Sequence, residues 1–224
     1  SHPTSAAAMI RHEWAQRALW TDLDATLRGS RRSQQQDRTL SEDPERLRLL
    51  LDAMLEVDHG VIDTVATMPW DEASVLFDVA GGHGRFSGEI LRRDCGVDRA
   101  VVIDFAGARS PVSDTATAYG VPLEFRAADI TALDFLDRNA QGPFLLSRCL
   151  HNFTTESRPA LLDYLMRRAS PELSLIVINP SWDWTDARPR NGAIAEFSLY
   201  MAVNAYGGGV PTRTEVLDLL AGLG

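Results

Sequence analysis

Hydrophobic positions recur every three or four residues between residues 47 and 65, a spacing that predicts an amphipathic helix. Asp43 ahead of this stretch is a typical N-cap, and Pro44 suits the first helical position. The segment 68–70, Met-Pro-Trp, is predicted to end the helix. The apolar stripe consists of Leu47, Leu50, Leu51, Met54, Leu55, Val61, Ile62 and Val65.

Another amphipathic helix is predicted closer to the N-terminus, followed by a polar loop over residues 29–38. The apolar positions of this helix are Trp14, Leu19, Trp20, Leu23 and Leu27. Residues 1–70 are therefore expected to form a helical N-terminal segment.

Short apolar runs alternate with helical patterns from residue 75 onward, which predicts βαβ units and a parallel sheet. The predicted strands are 75–80, 100–105, 123–127, 143–149 and 173–179. The predicted helices are 85–93, 111–119, 156–169, 192–206 and 213–221. Residues 71–224 are therefore expected to form an α/β domain whose ligand binds at the carboxyl ends of the strands.

The charge of the chain favours a small molecule over a nucleic acid as its partner. The 224 residues carry a formal net charge of −9 and include no long block of Lys or Arg, whereas phosphate binding needs a basic surface. The sequence has no run of about 18 apolar residues, so no membrane span is predicted. Its N-terminus lacks the basic and apolar regions of a signal peptide.

The two cysteines, Cys95 and Cys149, fit a cytoplasmic protein, in which thiols stay reduced. Neither has the spacing of a metal ligand, and no metal site is predicted. Cys149 lies within an apolar strand, which favours a buried structural thiol over a nucleophile.

A glycine-rich turn joins the first predicted strand to its helix. Asp78 lies on the strand, and Gly81, Gly82 and Gly84 follow it. The sequence of strand, glycine turn and helix is the nucleotide-binding arrangement of open α/β sheets. Glycines in such a turn also occur for geometry alone. With the acid on its strand, the segment resembles motif I of the class I S-adenosylmethionine methyltransferases.

Acidic residues also follow the second and third predicted strands. Asp104, next to Phe105, comes 20 residues after Gly84, where a carboxylate can accept hydrogen bonds from ribose hydroxyls. Asp129, next to Ile130, could accept from an adenine amino group. The alternative for each acid is a cap of the following turn or helix.

The end of the fourth predicted strand reads Leu150-His151-Asn152-Phe153, with Glu156 shortly after. Together with the Gly-Gly turn and Arg-Thr-Glu helix start in residues 206–215, it resembles the small-molecule O-methyltransferases of plant and bacterial secondary metabolism. This resemblance covers roughly residues 45–224. It implies a Rossmann-like class I methyltransferase core, S-adenosylmethionine as cofactor and S-adenosylhomocysteine as product.

The resemblance implies that His151 is the general base. Histidine titrates near neutrality and can take the proton of a hydroxyl that becomes the nucleophile; a lone histidine at a strand end is otherwise more often structural. The remaining assignments concern the two ligands. The cofactor is expected to contact Asp78, the three glycines, Asp104, Phe105, Asp129, Ile130, Ser147 and Arg148.

The methyl acceptor is expected beside the predicted helix 192–206. Phe197, Tyr200, Met201 and Asn204 share one face of that helix, and the resemblance makes Asn204 a substrate-lining residue. Apolar stripes of this kind usually belong to a core, so the face is interpreted as half core and half pocket. Asn152 and Trp182 are further candidates, although loop tryptophans also occur without function.

Three residues depart from the family pattern. Ala80 replaces the first glycine of the triplet, Asn152 replaces an aspartate, and Asn179 replaces an acid that orients the histidine in many members. Without that acid, His151 is expected to be a weaker base. The acceptor could then be an amine, a carbon or an already ionised group.

The sequence favours methyl transfer to a hydroxyl of a small aromatic or polyketide-like metabolite, as in antibiotic biosynthesis. The alternatives are an N- or C-methyltransferase, a non-methylating relative that binds the cofactor structurally, and a nicotinamide-dependent oxidoreductase. Family members carry a large N-terminal dimerisation domain, of which this chain is expected to retain a remnant. A homodimer is expected, paired through Trp14, Leu19 and Trp20.

Overall fold

We describe the fold from a computed structural model of the chain. The structure describes residues 6–24, 28, 40–68, 70, 74–93, 96–168, 175–179, 197, 199–201 and 209–222.

Helices and parallel strands alternate through the described chain, as the hydrophobic pattern predicts. The strands are β1 (Leu76–Val79), β2 (Ala100–Asp104), β3 (Leu123–Ala127), β4 (Phe144–Ser147) and β5 (Leu175–Ile178). The helices are α1 (Ala7–Gln16), α2 (Pro44–Ala66), α3 (Arg85–Arg92), α4 (Arg109–Tyr119), α5 (Arg158–Met166) and α6 (Arg213–Ala221). Short 3₁₀ turns follow α1, β2, β3 and β4.

The strands form one parallel sheet in the order β3-β2-β1-β4-β5. The chain moves outward from β1 in one direction and then, at β4, in the other. The crevice for a ligand in such a sheet lies at this reversal, outside the carboxyl ends of the strands. The sheet therefore confirms the predicted α/β, Rossmann-like fold and directs attention to the segments that follow β1, β2 and β4.

The central strands are buried on both faces, which explains their continuous apolar sequences. The rings of Phe77 and Phe144 stack between β1 and β4 with centroids 5.4 Å apart. Leu161 and Leu165 of α5 are fully buried in the same core cluster. Cys149 is also buried in this cluster, as its apolar strand predicts.

Helix α2 begins as its sequence predicts and packs against the edge of the sheet where the ligand is expected. The Asp43 carboxylate accepts hydrogen bonds from the backbone N–H groups of Glu45 and Arg46, both at 3.1 Å. The N-terminal half of the helix packs Leu47 and Leu51 beside the residues that follow β2, and its C-terminal half packs beneath β1. The predicted helix end at residues 68–70 is close to the observed end at Ala66.

The first helix differs from the amphipathic helix that the sequence predicts. Helix α1 ends at Gln16 and continues as a 3₁₀ turn, Arg17–Asp22. Its buried face carries Ala8, His12 and Gln16, whereas Trp14 is 67% exposed and lies against the Arg17 guanidinium. Glu56 of α2 accepts the backbone N–H groups of Ala8 and Met9 at the start of α1, which attaches this end of the helix to α2. The homodimer remains a prediction.

Several other boundaries are shorter than predicted. The helix predicted over 156–169 spans Arg158–Met166, and the strands predicted over 143–149 and 173–179 span Phe144–Ser147 and Leu175–Ile178. Of the helix predicted over 192–206, residues 197 and 199–201 are described and are helical. None of the described helices combines the length and apolar character that crossing a membrane requires.

Candidate active site

The turn between β1 and α3 brings the backbone close to two other parts of the fold. A Cβ on Gly81 would lie 2.5 Å from Cγ of Asp78, which leaves no room for a side chain. Gly82 has a φ of +56°, and a Cβ there would lie 2.8 Å from Cδ2 of Leu51 on α2. Glycine is required at both positions because the backbone has a left-handed conformation or is in direct contact with a neighbour.

Asp78 supports this turn from inside the sheet. Its side chain is fully buried, and its Oδ2 accepts a hydrogen bond of 2.6 Å from the Ser87 hydroxyl. Burial raises the pKa of Asp78 to about 7, and the nearby charge of Asp104 raises it further, while the bonds from Ser87 oppose the shift. Oδ1 has no donor among the described residues.

Ala80 takes up the left-handed backbone conformation that the missing glycine would adopt easily. Its φ is +56°, and its N–H donates to the carbonyl of Ile103 at 2.8 Å. The turn therefore closes with alanine present, but at a backbone cost that glycine would not carry. The replacement of the family's first glycine by Ala80 therefore has its visible consequence in the backbone conformation.

We expect Ala80→Gly to cost less stability than the same exchange at Ala128. Both alanines are partly buried against the same core cluster, so both variants lose a similar methyl contact. Of the two, only Ala80 has a positive φ. Relief of the backbone strain at that position should leave Ala80→Gly more stable than Ala128→Gly by about 1–2 kcal/mol. Urea unfolding of the two variants measures the difference, and equal free energies of unfolding would show that Ala80 is not strained.

Asp104 joins the glycine turn to the end of β2. Its Oδ2 accepts the N–H of Gly82 at 2.8 Å, and its Oδ1 accepts the N–H of Phe105 at 2.7 Å. Each carboxylate oxygen keeps a lone pair after these bonds, so two neighbouring hydroxyl groups could still donate to it. Burial raises the pKa of Asp104 to about 6, against the effect of the two backbone bonds.

A hydrophobic cluster lies beside Asp104 and includes residues of α2 that the sequence analysis did not assign to the site. Leu47 and Leu51 form a cluster with Phe105 and Phe125. Farther along α2, Met54 and Asp58 contact Arg148. The stripe of α2 predicts burial for Leu47, Leu51 and Met54, but only the folded chain shows that they face the turn regions of the sheet.

Arg148 lies between β4 and α2. Its Nε is 2.9 Å from Oδ1 of Asp58, which is only 3% exposed at its side chain. Its backbone N–H donates to Ile178 at 2.6 Å, and its φ is +52°. An ion pair with a buried carboxylate is costly to break, so Arg148 fixes α2 to the end of β4. Its predicted contact with a cofactor stays a prediction.

Asp129 takes the role of a cap, the alternative reading of its sequence position. Its exposed carboxylate accepts hydrogen bonds from the N–H and hydroxyl of Thr131 at 2.9 and 2.7 Å. Ile130, next to it, packs partly buried against the main core cluster. The adenine contact assigned to Asp129 and the cofactor contact assigned to Ile130 remain predictions.

His151 lies in the 3₁₀ turn Leu150–Asn152 directly after β4. Its Nδ1 is 3.1 Å from Oδ1 of Asn179, at the end of the neighbouring strand β5. An amide oxygen only accepts, so this contact favours the tautomer with the proton on Nδ1 and the lone pair on Nε2. The same tautomer is needed in a general base that acts through Nε2.

The imidazole of His151 is neutral over the physiological range. Burial lowers its pKa to about 4, and the positive charges of Arg148 and Arg158 lower it further. The hydrogen bond to Asn179 acts in the opposite direction. The ring is therefore unprotonated at pH 7 and available as a proton acceptor, although a weak one.

Aromatic rings extend from His151 toward the N-terminal segment. The imidazole meets the Phe197 ring edge to face at 5.0 Å, and Phe197 stacks with Tyr200 at 6.2 Å. Tyr200 in turn lies 6.3 Å from Trp20, and its hydroxyl is 3.1 Å from Nε2 of His12. The sequence analysis gave His12 no role and assigned Trp20 to a dimer contact, because both residues meet Tyr200 only through tertiary packing.

The other predicted site residues are placed as follows. Ser147 is buried at the end of β4, and Asn152 is partly buried in the turn with His151. Met201 is 2% exposed and packs with Phe197, Tyr200 and Val210, so it belongs to the core part of its helical face. Trp182 and Asn204 lie outside the described residues.

Comparison with known proteins agrees with the motifs, although no family model matches the chain. A curated relative, 3-amino-4-hydroxybenzoate 4-O-methyltransferase of Streptomyces cremeus, is 34% identical over 111 residues. The match covers 47% of this chain and 28% of the relative. The chain thus matches less than a third of the length of that relative.

Two solved structures show the extent of the fold. An O-methyltransferase family protein from Burkholderia thailandensis superimposes with a TM-score of 0.82 and 22% identity, over 96% of this chain and 65% of its own. Human N-acetylserotonin methyltransferase, solved in complex with SAM, gives a TM-score of 0.78 and 21% identity over 99% and 65%. These matches confirm the predicted resemblance: the chain has the Rossmann-like fold of the S-adenosylmethionine-dependent O-methyltransferases.

Proposed function

We propose that the protein transfers a methyl group from S-adenosylmethionine to a hydroxyl of a small aromatic molecule, with His151 as the general base. The observation that carries this proposal is the 3.1 Å contact between His151 Nδ1 and the side-chain oxygen of Asn179, which favours the tautomer with its lone pair on Nε2. The imidazole follows β4, and the glycine turn follows the adjacent β1. A base and a nucleotide-type turn therefore share one edge of the sheet.

The turn residues fit an adenosyl cofactor. Gly81 and Gly82 provide a turn without side chains, and the Asp104 carboxylate can accept from both hydroxyls of a ribose while it holds the backbone of Gly82 and Phe105. Leu47 and Leu51 supply apolar surface beside it. When bound, S-adenosylmethionine supplies an electrophilic methyl group on a positively charged sulfur.

The protein's own contribution to the reaction is placement and proton transfer. Nε2 of His151 would take the proton of the acceptor hydroxyl, and the hydroxyl oxygen would be the nucleophile toward the methyl group that the bound cofactor would supply. Asn179 keeps the proton of Nδ1 in place, so the second nitrogen remains the acceptor. Such a base contributes about 10²–10⁴-fold to the rate.

The rings beside His151 favour an aromatic acceptor. Phe197 and Tyr200 are partly exposed and stack with each other, while Phe197 touches the imidazole. Flat apolar rings next to a base are suited to a planar molecule that is held by stacking. The relative from Streptomyces cremeus is named for a hydroxybenzoate acceptor, which agrees with this class.

The proposal is tested with two cofactors and a panel of acceptors. We expect S-adenosylhomocysteine to bind in calorimetry and to raise the melting temperature, and NADH to do neither. With S-adenosylmethionine, a panel of phenols that includes 3-amino-4-hydroxybenzoate should give a product heavier by one methylene unit in mass spectrometry.

The outcomes separate the alternatives left open by the sequence. Stabilisation by NADH alone would indicate an oxidoreductase, and binding of S-adenosylhomocysteine without any methylated product would indicate a non-methylating relative. A methylated product whose tandem mass spectrum places the methyl on nitrogen or carbon would reject the hydroxyl as acceptor.

A further inference from the structure

Arg158 is a buried cation at the start of a helix, a position that is unfavourable for a positive charge. It is the first residue of α5, where the positive end of the helix dipole disfavours a cation. The residue is 4% exposed, and within the described chain its guanidinium forms hydrogen bonds but no ion pair. Burial lowers the pKa of Arg158, and the charges of Glu215 and Glu156 act only against that shift.

Both hydrogen bonds of this guanidinium go to backbone carbonyls around His151. Nε donates to the carbonyl of Leu150 at 3.1 Å, and that carbonyl belongs to the peptide group preceding His151. A terminal nitrogen donates to the carbonyl of Gly209. Gly209 in turn donates its N–H to the carbonyl of His151 at 2.9 Å.

These contacts close a ring of bonds around one residue. Arg158 bonds the peptide group that precedes His151, and Gly209 bonds the carbonyl of His151 itself. Because Arg158 also bonds the carbonyl of Gly209, the three contacts form a closed ring. Asn179 then fixes the imidazole itself. A planar guanidinium bridges two carbonyls through N–H donors in a fixed arrangement, whereas the three donors of an ammonium group rotate and fix the two carbonyls less firmly.

We propose that Arg158 is a positioning residue for His151: its guanidinium bridges the Leu150 and Gly209 carbonyls and so fixes the backbone that carries the imidazole. The proposal rests on His151 being the base of the proposed function. A misplacement of about 1 Å at a reacting group can cost roughly 10²-fold in rate. The buried charge therefore serves the geometry of the site, since an apolar side chain would cost the fold less.

The direct test is the state of the His151 ring, read by ¹⁵N NMR of histidine-labelled protein, with the resonance assigned through His151→Gln. We expect wild type to show one tautomer, with Nδ1 protonated. In Arg158→Met, the ring should show mixed tautomers, because the backbone that carries it is no longer fixed. Its pKa should also rise, because one neighbouring positive charge is gone while Arg148 remains. Arg158→Lys should restore the low pKa but not the single tautomer.

Arg213→Met serves as the matched control, since Arg213 also begins a helix, α6, but is exposed. This variant should leave the His151 resonances unchanged. A purely structural role for Arg158 would lower the melting temperature of Arg158→Met and leave His151 in a single tautomer, and that result would overturn the proposal.

Turnover separates this proposal from the proposed function. On a phenol that wild type methylates, Arg158→Met should lose about 10–100-fold in kcat with less than a twofold change in the affinity for S-adenosylhomocysteine. Wild-type kcat in a folded Arg158→Met would overturn the positioning role and leave the proposed function intact. If wild type methylates no acceptor, the proposed function fails, and the NMR result still decides whether Arg158 positions His151.

Discussion

Replacement of His151 by glutamine is expected to lower turnover by about 10²–10⁴-fold. Glutamine retains a side-chain amide near Asn179 but cannot accept a proton, so the hydroxyl would have to ionise without help. The affinity for S-adenosylhomocysteine should stay within twofold, because none of the described contacts of His151 reaches the glycine turn. Steady-state kinetics on a methylated phenol and calorimetry with S-adenosylhomocysteine measure the two effects.

The pH dependence of turnover also tests the role of His151 as the base. Protonated imidazole cannot accept a proton, so the rate should fall as the pH decreases toward the His151 pKa of about 4. Asn179→Asp places a carboxylate against Nδ1–H and should raise that pKa by about 1–3 units. The acid limb of the rate–pH profile should then shift to higher pH. Full turnover in His151→Gln, together with an unmoved profile in Asn179→Asp, would refute the role of base.

Asp104→Asn is expected to weaken S-adenosylhomocysteine binding by about 1.5–3 kcal/mol, the range for hydrogen bonds to a charged group. Asparagine keeps one oxygen for a backbone N–H but loses the charge and half of the acceptor capacity. Asp104 is held by Gly82 and Phe105, so the isosteric exchange disturbs the turn less than alanine would. Calorimetry at pH 8 measures the loss.

The wild-type protein should bind S-adenosylhomocysteine more weakly in acid. Burial raises the pKa of Asp104 to about 6, and protonation removes the charged acceptor, so the affinity should fall by about tenfold per pH unit below that value. Asp104→Asn should lose this dependence. Asp114→Asn, an exposed carboxylate on α4 paired with Arg48, is the matched control and should bind like wild type. Equal affinity in a folded Asp104→Asn would remove the ribose assignment.

Local sequence signals were sufficient where one segment dictates its own conformation. The glycines between β1 and α3, the cap at Asp43 and the apolar strands need no distant partner, so the pattern predicted them. The order of turns and acids along the chain also predicted that Asp104 and the glycine turn belong to one site, since parallel strands present their carboxyl ends together. The structure adds that Asp104 accepts the N–H of Gly82. The resemblance added the assignment of His151.

Other features depended on contacts that no local pattern contains. Trp14 was placed on an apolar stripe, yet α1 buries Ala8, His12 and Gln16 and leaves Trp14 67% exposed. Asn179 was expected to weaken His151, but its carbonyl oxygen still selects the useful tautomer. The ion pair between Asp58 and Arg148 joins residues far apart in sequence.

The sequence by itself determined the α/β alternation, the glycine turn and the residue types at the strand ends, because these follow from periodicity and from the conformations that glycine and proline allow. Only the tertiary structure determined the pKa values and the geometry of the site. The pKa of His151 and of Asp104 depends on burial and on charges from other elements, and the hold on His151 comes from Arg158 and Gly209. Such long-range terms arise from the packing of separate segments, and packing is fixed only when the whole chain folds.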